Sequence, residues 1–325
     1  MIILNRPQTD PFFNLAAEEF LIKNTTEPLF MLWQNTPSVV VGKHQNALKE
    51  INLKFLKEKN IPVIRRISGG GTVFHDLGNL NYSFINFGHR ESLVNFKKYS
   101  QPIVDVLQKM GVDAQLIGKS DLKIKGLKFS GNASHVYKNK VLHHGTLLFS
   151  SELNILNNSI KVSEINFSDK AVQSNRSTVT NIQSHLKEAL SIEEFKQKII
   201  DFVMTSFPET EIRYFTKTEI EEIQKLADEK YKSWEWNFGY SPRYQYSAKF
   251  RFNDKTISFK LTVKNGEIES CHFDLNTNAI IKKLEGFLTG SLHQSLALAT
   301  IYDTNTKLFK ELGLDKNVFL KTFIG

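Results

Sequence analysis

Apolar residues change period several times along this chain, and the changes mark out its elements. Phe13, Ala16, Ala17, Phe20 and Leu21 recur at the i, i+3, i+4, i+7, i+8 spacing of one helix face. Asp10 and Pro11 ahead of them supply an N-cap and a proline at the first helical position, so an amphipathic helix packed on an apolar surface is predicted. Two unbroken apolar runs, 29–33 and 38–42, are of strand length and bounded by prolines, which predicts buried strands. Residues 51–59 read as helix and 63–66 as extended chain. Gly69, Gly70 and Gly71 then interrupt the pattern before 72–75 and 82–85 resume it, so the glycines fall in a tight strand-to-strand connection. A helix over 94–110, closed by Gly111, is followed by extended segments at 121–124, 128–131 and 141–149. The stretch 154–181 is polar and rich in Asn and Ser, predicting a long loop, and 191–207 returns to helical spacing.

Aromatic density rises over 234–240, and Ser241-Pro242 makes a break. Beyond it Tyr244, Tyr246, Ala248, Phe250 and Phe252 alternate with other residues, as do Ile257, Phe259, Leu261 and Val263, and an Asn265-Gly266 turn leads into a third strand through Cys271. Helical patterns after Asn278 cover one face of this meander. Runs of strands with helices before and after them predict an α+β protein. Its large domain, residues 1–242, has a mixed or antiparallel sheet flanked by helices, and residues 243–325 form a small α+β accessory domain.

Composition narrows the class. A length of 325 residues suits two domains, and 41% hydrophobic with 23% charged residues excludes a disordered chain. Forty-two Lys and Arg against 34 Asp and Glu leave a formal charge of +8, which suits anionic ligands. These basic residues are scattered instead of striped, against a nucleic-acid binder. With Cys271 as the single cysteine there is no intrachain disulfide, no Cys-based zinc site and no CxxC pair, as expected in a reducing cytosol. No apolar run reaches the roughly 18 residues of a membrane span, and the N-terminus has no signal-peptide pattern. A cytoplasmic monomer that engages no membrane is expected.

The residues 65–79, RRISGGGTVFHDLGN, carry the densest candidate chemistry. Successive glycines let backbone N–H groups approach an anion, and Arg65 and Arg66 add fixed charge beside them. The alternative is a hairpin whose glycines only satisfy positive φ, with arginines on a solvated face. Gly118-Lys119-Ser120 is not a Walker A loop, because six residues separate it from Gly111 where four are required, and Phe74 stands where a Rossmann fingerprint needs its third glycine. Lys128 lies in an apolar, small-residue strand, so it either enters a cleft to hold a phosphate or developing oxyanion, or is a solvated charge like Lys119, Lys123 and Lys125. His143 and His144 adjoin on a strand and point to opposite faces, so they cannot share one metal ion.

Taken together, these stretches resemble the lipoate–protein ligase A family, relatives of the biotin protein ligases. The likeness rests on 65–79, on Ser120-Asp121-Leu122 with 128–133 (KFSGNA), on 143–148 (HHGTLL), on 174–181 (SNRSTVTN) and on 233–239 (SWEWNFG). It departs from some members at Thr72, where alanine is frequent, and at Ile67. Such a member is expected to convert lipoate and ATP to lipoyl-AMP and pyrophosphate, then to pass the lipoyl group to one lysine of an acceptor lipoyl domain, on a 2-oxoacid dehydrogenase E2 subunit or the glycine cleavage H protein. By that resemblance Arg66, Gly70, Gly71, Thr72, Val73, Phe74, Asp121, Lys128, Val179 and Thr180 contact the nucleotide, and Asp121 is a candidate Mg²⁺ ligand. Val41, Gly70, Gly71, His75, Lys128 and Gly145 line the lipoate slot, and Lys128 is the central catalytic cation. A lipoyl or octanoyl transferase of the same fold, working from a pre-activated donor or through a cysteine thioester, is the alternative, and Cys271 is remote from every motif.

Overall fold

The computed structural model describes residues 1–89, 93–160, 166–175, 177–207, 209–275 and 277–324. Its strands are β1 (Ile2–Asn5), β2 (Leu29–Trp33), β3 (Ser38–Val41), β4 (Val63–Arg65), β5 (Val73–His75), β6 (Asn79–Phe87), β7 (Ala114–Ile117), β8 (Asp121–Ile124), β9 (Leu127–Tyr137), β10 (Lys140–Leu148), β11 (Asn166–Asp169), β12 (Glu211–Tyr214), β13 (Tyr244–Phe252), β14 (Lys255–Lys264) and β15 (Glu267–Phe273). The chain divides into two compact units. The first comprises Met1–Lys43, Ile61–Ile160 and Ser174–Ser233; the second comprises His44–Asn60, Lys161–Gln173 and Trp234–Gly325. This division differs from a single boundary after Pro242, because an early and a middle segment group with the C-terminal residues.

The first unit is built on an eight-stranded sheet in the order β12-β1-β2-β6-β10-β9-β8-β7. β1 runs parallel to β12 and β2, while the β2-β6-β10-β9-β8-β7 pairs are antiparallel, so the sheet is mixed, as the strand runs predict. One face buries Leu122, Ile124, Phe129, Val141 and Leu147 with the helices Phe96–Lys109 and Ile192–Ser206. The first of these helices carries Pro102 in its interior. The second begins with a capping box, in which Ser191 and Glu194 exchange side-chain and backbone hydrogen bonds. Against the opposite face lies the helix Pro11–Asn24, capped by Asp10. A separate three-stranded sheet, β4-β3-β5, carries the glycine-rich connection between β4 and β5.

The polar stretch read as a loop is partly structured. It contains the helix Leu153–Ser159 and strand β11, and its remaining described residues are irregular except for a bridge at Val179. In the second unit β11 adds an edge to the predicted meander, giving the order β11-β13-β14-β15. Helices at Ala279–Leu288, Ser295–Thr304, Thr306–Glu311 and Lys316–Ile324 bury Leu284, Leu298, Phe309 and Phe319 with it. Asn265 and Gly266 both take positive φ at the β14-β15 turn, where a side chain on Gly266 would overlap the Trp234 ring.

Candidate active site

Strand β9 is irregular where it matters. Leu122 pairs with Ser130 but Lys123 pairs with Lys128, leaving Phe129 as an extra residue. Phe129 falls into the core, and the bulge reverses the alternation after it, so Lys128 and Gly131 share a face although they are three positions apart. Lys128 therefore reaches Asp121, the partner of Gly131 in register, with Nζ 2.9 Å from Oδ1. The two side chains remain 23% and 26% exposed, open enough for a ligand. The absence of a side chain on Gly131 leaves that space to the lysine, whose Cε and Nζ would lie 3.4 Å from an added Cβ.

A third segment docks beside them. Lys128 N–H donates to the carbonyl of Thr178, and Thr180 N–H to that of Lys128, both at 2.9 Å. Val179 is thereby bridged to Lys128, and a cavity of about 420 Å³ opens between Ser177, Thr178, Val179 and the helix residues Leu153 and Asn157. Of the sequence-derived candidates, Asp121, Lys128, Val179 and Thr180 thus come together. Arg176 lies outside the described residues.

The glycine connection is held from both ends. Gly70 takes φ +91° beside Ala133 of β9, and Ser174 closes over Gly71, accepting from Thr72 N–H at 2.8 Å through its Oγ. Neither arginine lies on a solvated face. Arg65 is fully buried and donates to the carbonyls of Gly42 and Lys43. Arg66 donates to the carbonyls of Val40, Gly69 and Gly71 and to Ser68 Oγ. Burial lowers the Arg66 pKa to about 10, which still leaves it charged at neutral pH. Arg66 accordingly shapes the loop from behind.

Val41, Val73, Phe74 and His75 sit in the small sheet, with Val41 and Phe74 buried. His75 Nδ1 faces Asn35 Nδ2 at 3.0 Å, and burial brings its pKa down to about 3, so the ring is neutral. Asp76 is occupied structurally, accepting from the backbone N–H groups of Gly78 and Glu152. Gly145 of β10 lies against Asn132 and the Tyr82 ring, which hydrogen-bond to one another, and Asn132 Nδ2 donates to Ser120 O at 2.8 Å. His143 enters the core face beside Tyr99 and Ser134, while His144 turns to the other face. The two histidines diverge as their adjacency requires.

Tyr82 and Glu18 stand out less in the sequence. Glu18 follows an Ala-Ala pair and lies off the apolar face that the helical spacing marks, yet it is 1% exposed. A carboxylate pair, Glu18-Glu19, between apolar stretches of the helix was the available signal.

The catalytic-domain model of lipoyl protein ligase A/B matches residues 10–203. The chain belongs to the lipoyl protein ligase A/B family. Lipoate–protein ligase 1 of Staphylococcus aureus is 41% identical over 297 residues, covering 90% of each chain. A crystal structure of lipoate–protein ligase A bound with ATP superposes with a TM-score of 0.61 at 26% identity, over 74% of this chain and 98% of that one. The Plasmodium falciparum LipL1 structure shares the fold along nearly the whole length, with a TM-score of 0.65, 24% identity and 98% and 99% coverage. Family membership accounts for the ordered motifs from the glycine loop to the 174–181 segment.

The described residues contain no helix long and apolar enough to cross a membrane. Cys271, in the second unit, is buried at 1% exposure, and burial pushes its thiol well above the ordinary range. A Cys271→Ser variant is therefore expected to keep its acyl-transfer rate within about twofold of the parent, since an inert thiol forms no thioester. Loss of transfer in that variant, with the fold intact, would establish a thioester route.

Proposed function

We propose that this chain is an AMP-forming lipoate–protein ligase. It joins lipoate to ATP as lipoyl-AMP, releases pyrophosphate, and transfers the lipoyl group to the ε-amine of a lysine on an acceptor lipoyl domain. The observation that carries the reading is Lys128, turned by the Phe129 bulge onto the face of Asp121 and Gly131 and bordered by 178–180. Family membership and the 41% identity to a protein called lipoate–protein ligase support it.

In the first step a lipoate carboxylate oxygen attacks the α-phosphorus, and the bond to the pyrophosphate oxygen breaks. Charge accumulates on the non-bridging oxygens, where a fixed ammonium is most useful. In the second step the acceptor amine attacks the acyl carbon and AMP leaves, with charge developing on the carbonyl oxygen. One cation between the two centres, Lys128, serves both steps without moving. The Gly70 and Gly71 backbone approaches the phosphates or carboxylate closely, as glycine permits, while Val41, Val73, Phe74, His75 and Gly145 border the slot for the acyl chain. Asp121, whose carboxylate is partly exposed and has one oxygen paired with Lys128, would offer its other oxygen to Mg²⁺. When bound, the cation neutralises phosphate charge.

Acceptors of the reaction are lipoyl domains of E2 subunits or the H protein, the C-terminal unit is accessory to catalysis, and the enzyme works as a cytosolic monomer. Lipoate-dependent pyrophosphate release from ATP and Mg²⁺, with a lipoyl mass increment on an added acceptor domain, is the expected result. An acceptor modified only from supplied lipoyl-AMP would make the protein a transferase, and no reaction at all in folded protein would refute the assignment.

A further inference from the structure

Behind the glycine loop runs a continuous chain of buried polar groups. Trp33 Nε1 donates to Ser83 Oγ at 2.9 Å, and Ser83 Oγ to Glu18 Oε1 at 2.6 Å. Glu18 lies 2.9 Å from His144 Nδ1, and His144 Nε2 lies 2.6 Å from Ser68 Oγ. Ser68 Oγ in turn accepts from Arg66 Nε at 2.9 Å, and the same guanidinium grips the Gly69 and Gly71 carbonyls at 2.7 Å each. Ser68 is 0% and Glu18 1% exposed.

The order Ser68–His144–Glu18 has the shape of a hydrolytic triad, but the chemistry runs elsewhere. A carboxylate accepts only, so Nδ1 of His144 donates to Glu18, and Nε2 on the far side of the ring meets the Ser68 hydroxyl. Fully buried and with one lone pair taken by Arg66 Nε, the Ser68 hydroxyl has no path to a substrate. What the chain fixes is the orientation of the guanidinium. A trans peptide points its N–H opposite its C=O, so an arginine that draws the Gly69 carbonyl inward turns the Gly70 N–H outward.

We propose that Glu18, His144 and Ser68 are positioning residues that hold Arg66, and through it the glycine loop, in the conformation that receives the nucleotide phosphates. This inference rests on the ligase reading. Buried Arg66 is kept cationic by the same arrangement: the negative charge of Glu18 opposes the effect of burial on the guanidinium. In Glu18 itself burial would raise the pKa, yet His144, Ser83 and Arg6 together hold it below its ordinary value.

The test is a double-mutant cycle with Glu18→Gln and Ser68→Ala, reading Kd for ATP by calorimetry and the kinetics of lipoate-dependent pyrophosphate release. Each substitution is expected to weaken ATP binding about tenfold, the scale of one lost buried hydrogen bond, and to raise KM for ATP while kcat at saturation stays within about twofold. Because both act through one chain, the double variant should bind no worse than the weaker single one, where independent effects would multiply to about a hundredfold. Ser68→Ala removes a single oxygen and keeps the test open if Glu18→Gln is unstable. Unchanged ATP affinity in folded Ser68→Ala, or multiplying effects in the cycle, would overturn the positioning role and leave the ligase assignment standing. Failure of the parent protein to bind ATP would overturn both.

Discussion

Lys128→Ala is expected to reduce lipoate-dependent pyrophosphate release by about 10²–10³-fold or more, the cost of removing one preorganised group that stabilises developing charge. Because the lysine serves phosphoryl attack and aminolysis alike, transfer from supplied lipoyl-AMP should fall as well. That double loss separates Lys128 from a residue that only binds ATP, whose removal would spare the second half-reaction. The fold should survive, since the Lys128 side chain is partly exposed and its backbone bonds to the 178–180 segment do not depend on it. A variant with an unchanged urea midpoint and near-parental rates of both half-reactions would remove Lys128 from the mechanism.

The largest expected effect on stability comes from Gly145→Ala. The added methyl would sit 2.6 Å from Cε1 of Tyr82 and closer still to Asn132 Oδ1, and both neighbours are tied by hydrogen bonds. Overpacking of this kind costs typically about 1–3 kcal/mol and occasionally more. With β10 paired to β9 on one side and to β6 on the other, the upper end is expected in urea denaturation. Gly286→Ala provides the contrast. Gly286 lies inside the helix Ala279–Leu288 with open space around its Cα, and the substitution there should stabilise by about 0.5–1 kcal/mol. Equal responses of the two variants would show that the close approach at Gly145 is not the cause.

Features governed by local rules were legible in the sequence. Asp10-Pro11 caps its helix, helical spacing from Ser191 gives the helix Ile192–Ser206, and Asn265-Gly266 turns between strands, because each depends on a few adjacent residues. The candidate site was legible as a set of motifs, and the structure brings Asp121, Lys128 and 178–180 together. Other features depended on distant partners. The Phe129 bulge is fixed by the register of β8 against β9, which alternation within one strand does not contain. Glu18 lies off the apolar face that the helical spacing marks, and its buried partners His144 and Ser83 stand 126 and 65 residues away. Likewise Arg65 and Arg66 read as fixed charge beside the glycines, with a solvated face as the alternative, because the carbonyls that receive them belong to other turns of the chain.

The discontinuous second unit carries a consequence for biosynthesis. Leu48 and Leu53 are made early, yet the aromatic and aliphatic residues they pack against belong to the last third of the chain. At synthesis rates of roughly 5–20 residues per second, these leucines wait on the order of ten seconds or more, apolar and unpartnered, while the intervening residues emerge. The catalytic sheet can close meanwhile around its own strands, since none of them comes from beyond β12. Residues 44–60 therefore remain a nascent-chain loop open to a chaperone until translation nears its end, and a gene cut at residue 233 would release a permanently half-dressed fragment.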